Sequence, residues 1–127
     1  MILVDTDILI DVAHGVAVAI KKLEEFEISN KNLAICVITE MELLAGCRNK
    51  RELLDVQDFL TAFKKINLNH SICQQAVNLF ARYRLSHGMD IPDALIAACA
   101  IDLNIPLLSK NQKDFHYIDS LELLVYP

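Results

Sequence analysis

Residues that break secondary structure are scarce in this chain: its 127 residues include only three glycines and three prolines. With a hydrophobic share of 54%, that scarcity argues against long disordered segments. No repeat, linker or low-complexity run divides the sequence. Its length predicts one domain over residues 1–127, able to bury roughly two thirds of its unfolded surface. Long apolar runs are missing as well, each falling far short of the ~20 residues that a membrane span needs. No basic region precedes an apolar stretch at the N-terminus, so the expectation is a soluble, cytoplasmic protein with no membrane partner.

Paired ligands for disulfides or zinc are equally absent. Cys36, Cys47, Cys73 and Cys99 fall inside apolar patterns with no close pairing, which reads as reduced core residues. His14, His70, His87 and His116 are scattered, with no pair at metal-ligand spacing and none beside a nucleophile, and read as surface or loop residues. Positive charge is in deficit: 12 Lys and Arg against 17 Asp and Glu leave a net charge of −5. That excludes the overall basic footprint of a protein that grips phosphates by charge alone. A nucleic-acid role would rest on bound cations or on local groups such as Arg48, Lys50 and Arg51, Arg82 and Arg84, or Lys110 and Lys113.

What the sequence does contain is periodicity that alternates between strand and helix. Ile2 to Val4 has the makeup of a strand buried on both faces. Val16, Ile20, Leu23 and Phe26 then recur at helical spacing, followed by a predicted strand at Leu33 to Ile38 and a short helix around Met41 to Cys47. Two longer helices carry Leu53, Val56, Phe59/Leu60 and Phe63, and Ile72, Ala76, Leu79/Phe80 and Tyr83. A helix from Pro92 to Leu103, a strand at Pro106 to Leu108 and a last strand near Leu121 to Val125 complete the pattern. Strands separated by helices predict an α/β fold, a parallel sheet covered on both faces.

Against that architecture the opening MILVDTDILID is unusual, because a buried strand has no use for carboxylates and an uncompensated one is costly. In parallel α/β folds ligands bind beyond the carboxyl ends of the strands. Asp5 and Asp7 follow the first strand, Glu40 and Glu42 the second, Asp93 stands in the first turn of the Pro92 helix, and Asn111 and Asp114 follow the strand at Pro106 to Leu108. Each has a structural explanation: Thr39-Glu40-Met41-Glu42 matches a capping box, Asp93 suits a helix N-terminus, and Asp114 suits a solvated loop. If they converge, three or four carboxylates cannot all stay ionised without counter-charge. Oxygen donors of this kind suit Mg²⁺ or Mn²⁺ far better than Zn²⁺.

The segments VDTDILID, TEMELLAG, PDALIAACA and LLSKNQKDF, in that order, resemble the four successive motifs of PIN-domain proteins, and most closely the VapC toxins of type II toxin-antitoxin systems. The resemblance implies a three-layer α/β/α PIN-like fold with a mainly parallel central sheet. It also implies a metal-dependent endoribonuclease that cleaves RNA phosphodiester bonds with metal-activated water. Asp5, Glu42 and Asp93 match the family's acidic positions and are expected to hold Mg²⁺ or Mn²⁺. Ser109 matches its hydroxyl position, and Thr6 and Asp7 are expected in support. The fourth acidic position is open between Asn111, where many relatives have Asp, and Asp114. Lys110 and Lys113 are candidate phosphate contacts. The resemblance further implies a homodimer and a cognate VapB-like antitoxin.

Rival readings make different demands. Asp5-Thr6-Asp7 after a strand also fits a haloacid-dehalogenase-like phosphatase, which needs a late acidic pair that this sequence lacks. A receiver domain needs an acidic residue ending a middle strand, whereas Asp55 and Asp58 fall in a helical pattern. A non-catalytic PIN-like binding protein would keep the fold without the activity.

Overall fold

Successive residues of the first strand, β1 (Ile2–Val4), go to different cores. Leu3 joins one buried cluster, and Ile2 and Val4 join another. The same alternation holds in β2 (Leu33–Cys36), where Ala34 and Cys36 face the first cluster and Leu33 and Ile35 the second. It recurs in β4 (Leu107–Leu108). Because side chains alternate sides along a strand, these clusters are the two faces of one sheet, each covered by helices.

The computed structural model describes residues 1–127. All four strands are parallel, in the order β3-β2-β1-β4, with β3 formed by Lys64–Ile66. The helices are α1 (Thr6–Ala13), α2 (Ala17–Ile28), α3 (Val37–Ala45), α4 (Lys50–Leu60), α5 (His70–His87), α6 (Ile91–Leu103) and α7 (Gln112–Phe115). Residues from α5, α6 and α7 fill the Leu3 face, while α1, α2 and α4 cover the other. This is the expected three-layer α/β/α arrangement, with its sheet wholly parallel.

Several local expectations are corrected. Helix α3 begins at Val37 with Cys36 as its N-cap, so the expected strand to Ile38 ends earlier and Thr39 caps nothing. The capping-box reading of Glu42 therefore fails. Residues 121–125 form no strand and contribute only an isolated bridge between Leu107 and Leu123. Cys36 and Cys99 are buried as expected, their sulfurs 3.1 Å apart across the β2–α6 contact, whereas Cys47 is half-buried and Cys73 exposed.

Helix α6 is the most enclosed of the helices, with Ala97, Ala98, Cys99 and Ala100 fully buried. Its small side chains leave no room for growth. Ala97→Leu is expected to cost about 1–3 kcal/mol through overpacking, read as a lower urea midpoint with unchanged slope.

Candidate active site

Strands β1 and β2 run almost directly into α1 and α3, β4 leads through residues 109–111 into α7, and the polar residues collect at these connections. Asp5 closes β1 and caps α1, its Oδ1 accepting the Thr6 N–H at 2.7 Å. Its Oδ2 accepts the Ser109 hydroxyl at 2.7 Å, from just past the neighbouring β4. Thr6 in turn donates to Glu42 Oε1 at 2.7 Å, and its oxygen lies 3.0 Å from the hydroxyl of buried Thr39. The loop after β1 thus holds one carboxylate itself and tethers a second, from α3, through a hydroxyl.

Asp7 lies on the same edge, half-buried. Its carboxylate accepts the Lys110 N–H at 3.3 Å and faces the Ser109 hydroxyl at 3.4 Å. Asp93 enters from the first turn of α6, half-buried. Asp114, on α7, is the charge that acts on it most strongly, followed by Asp90, Glu42 and Asp7. Four of the expected residues, Asp5, Glu42, Asp93 and Asp114, together with Asp7, therefore share one electrostatic neighbourhood.

Positive charge reaches that neighbourhood only from Lys110, which acts on Asp7 but is paired with Asp11. Burial, then the field of Asp7, pushes Asp5 up to about 7 despite hydrogen bonds from Ser109 and Thr6. Burial and then the Asp114, Asp90, Glu42 and Asp7 fields push Asp93 up to about 7. Asp7 is raised too, chiefly by burial. Such upward displacement marks carboxylates brought together for a cation or a proton rather than for ion pairing. The donors are carboxylate, hydroxyl and amide oxygens, the set that Mg²⁺ or Mn²⁺ accepts. No three carboxylates stand close enough to enclose an ion directly.

A family model described as "PIN domain" matches residues 2–121. The chain belongs to the PIN-domain family. A curated PIN-family relative, Ribonuclease VapC19 of Mycobacterium tuberculosis, is 34% identical over 123 residues, covering 96% of this chain and 98% of the relative. Among solved structures, a toxin-antitoxin complex from Klebsiella pneumoniae superposes with a TM-score of 0.82 at 30% identity, over 98% of this chain and 97% of that one. VapBC2 from Rickettsia felis, bound to a DNA fragment from its promoter, gives 0.84 at 25% identity over the whole of both chains.

Within this PIN domain the remaining candidates separate. Glu40 turns away to pair with Lys65 of β3. Lys110 is committed to Asp11, at 3.0 Å, rather than to the carboxylates of the site. Lys113 is exposed and makes no ion pair. Asn111 begins α7 and gives its backbone N–H to Ser109 at 3.0 Å, while its side chain caps nothing. Sequence reading missed Asp90, whose charge reinforces that on Asp93, and the structural role of Thr39. A signal for Asp90 was available in its place directly before the Ile-Pro-Asp start of α6.

Proposed function

We propose that this chain is a VapC-type endoribonuclease toxin that depends on Mg²⁺ or Mn²⁺ and acts as one PIN domain over residues 1–127. The observation that carries the reading is the gathering of Asp5, Glu42, Asp93 and Asp114 at the carboxyl edge of the sheet, with Asp5 and Asp93 raised to about 7 by burial and then by neighbouring carboxylates. Membership of the PIN family removes the phosphatase and receiver readings.

In this reading Asp5, Glu42 and Asp93 hold the ion at least in part through waters, since no three carboxylates enclose it directly, and Asp114 or Asn111 completes the pocket. A bound divalent ion supplies a water of lowered pKa and neutralises charge on the scissile phosphate. The Thr6 N–H and the Ser109 hydroxyl each hold one oxygen of Asp5, and the Thr6 hydroxyl holds one oxygen of Glu42, which fixes the orientation of both carboxylates. Asp7 adds negative charge beside Asp5. No Ser, Cys or His is arranged with a base as a nucleophile, which favours direct attack by water over a covalent intermediate.

Phosphate contact falls to Lys113 rather than Lys110. Lys113→Ala is expected to raise KM for RNA several-fold, and Lys110→Ala less, because Lys110 is already spent on Asp11. Steady-state cleavage of a short RNA by the two variants checks the order.

The partners in this reading are an RNA substrate, a VapB-like antitoxin and a second copy of the chain. A groove of about 580 Å³ opens beside Glu42, lined by Ile10, Leu43 and Val56 with Arg48 and Glu52 among its polar residues. Its mixed character suits an antitoxin tail that ends in a cation over the carboxylates. No helix is long and apolar enough to cross a membrane, in keeping with work in the cytoplasm. The deciding experiment is cleavage of a labelled structured-RNA pool by antitoxin-free protein with Mg²⁺ or Mn²⁺. Cutting that EDTA abolishes is expected. Cutting that persists in EDTA, or none from folded protein that binds the ion, overturns the reading in favour of a metal-free nuclease or a non-catalytic binding protein.

A further inference from the structure

The end of α5 and the turn after α7 bring aromatic rings together at the border of the acidic pocket. Tyr83 and His87 lie one helical turn apart on α5, with ring centroids 5.7 Å apart. Tyr117 packs against both: its ring lies flat on His87, centroids 4.0 Å apart and planes 15° apart, and tilts against Tyr83 at 5.0 Å. Phe115 and Ile118, both buried, fix the backbone on either side of Tyr117. His116 meets the Tyr117 ring edge-on at 5.9 Å.

The stack is anchored below and open above. Tyr83 is buried, Tyr117 half-buried and His87 exposed, so the outermost ring lies at the solvent boundary, its Nδ1 2.8 Å from the Ser86 hydroxyl. Helix α5 stops there because Gly88 takes a left-handed φ of +68°. Proximity to the pocket is registered electrostatically: the Tyr117 hydroxyl is raised by burial and then by the fields of Asp93 and Asp114. A cation accompanies the rings. Arg82 lies over Tyr83, 5.2 Å from its centroid, and makes no ion pair, whereas Arg84 is taken up by Asp90 and the carbonyls of Gly88 and Met89.

We propose that the His87–Tyr117 stack, with Arg82 beside it, is a base-binding platform that receives an unpaired nucleobase of the RNA while the adjoining phosphate enters the acidic pocket. An open ring face, a fixed ring beneath it and an unpaired guanidinium are what single-stranded RNA recognition uses, since every base has a face to stack and a phosphate to neutralise. The platform also gives an acidic protein a substrate contact that does not depend on net charge. Packing alone accounts for Tyr83 and Tyr117. It does not account for an exposed imidazole laid flat on the outside.

This inference rests on RNA being the substrate, and the test keeps the two apart. Wild-type protein is mixed with a single-stranded RNA pool and Mg²⁺, irradiated with ultraviolet light, and the crosslinked nucleotides are located by peptide mass spectrometry. Cleavage and RNA affinity, by fluorescence anisotropy, are measured for the wild type, for His87→Phe and for the double variant His87→Ala/Tyr117→Leu. The expected result is crosslinks at His87 or Tyr117, with the double variant binding RNA about 5- to 150-fold more weakly and His87→Phe close to wild type. In cleavage the loss falls mainly on KM. Crosslinks found only elsewhere, or a folded double variant that binds like wild type, overturn the platform even if RNA is cut. Crosslinks at the stack without any cutting uphold the platform and overturn the nuclease.

Discussion

Asp93→Asn is expected to abolish RNA cleavage and at the same time to stabilise the metal-free fold. The wild-type carboxylate is raised to about 7 by burial and by the surrounding acidic residues, so above that pH it is ionised at a cost. An amide of nearly the same shape removes the charge and the repulsion together. Because Asp93 is only half-buried, solvent screening holds the gain to about 1 kcal/mol, or roughly 4 °C in Tm for a domain of this size. Activity moves the other way: losing a ligand should cost more than the ~100-fold that loss of an outer-shell partner can cost. Thermal melting in EDTA at pH 8 and cleavage in Mg²⁺ read the two effects. A variant that still cuts, or one that loses activity by unfolding, would refute the assignment of Asp93.

The second large effect links pH and metal. Asp5 is raised from 3.8 to about 7, chiefly by burial and then by Asp7. Between those values the folded protein keeps a proton that the unfolded chain has released, so stability is full below about 4 and falls as pH rises to about 7. The gap corresponds to at most ~4 kcal/mol for this buried group. Urea midpoints measured in EDTA should therefore decline across that window, and Asp5→Asn should flatten the decline. A divalent ion supplies the missing counter-charge, so saturating Mg²⁺ should restore the midpoint at pH 8 and bind more weakly below pH 7, where it must displace a proton. A flat profile in EDTA, or one that Mg²⁺ leaves unchanged, would mean that the carboxylates are not held against one another as described.

Much of this is legible in the sequence, for identifiable reasons. Strands β1 and β2 and helix α6 are dense in apolar residues that only a doubly covered sheet can bury, and Asp5 and Asp93 stand out because each follows or begins such a segment. Strand β3 was hidden because two of its three residues are exposed lysines, as suits an edge strand guarding against unwanted pairing. Glu42 was legible as a candidate from its place beyond the second strand, but its tie to Thr6, which spans 36 positions, was not. The same holds for Lys110, whose partner Asp11 is 99 positions away. Spacing reports what lies on one element; pairing across the sheet edge depends on topology that local patterns do not encode.

The hydrogen bond from Ser109 to Asp5 joins residues 104 apart. In a chain made from its N-terminus, Asp5 and Glu42 emerge early, but the hydroxyl that orients Asp5 and the carboxylate of Asp114 come nearly last. Until residues 109 to 114 are made, a nascent chain therefore carries only part of the site. In the function proposed above, RNA cleavage thus waits on nearly the last residues to be made.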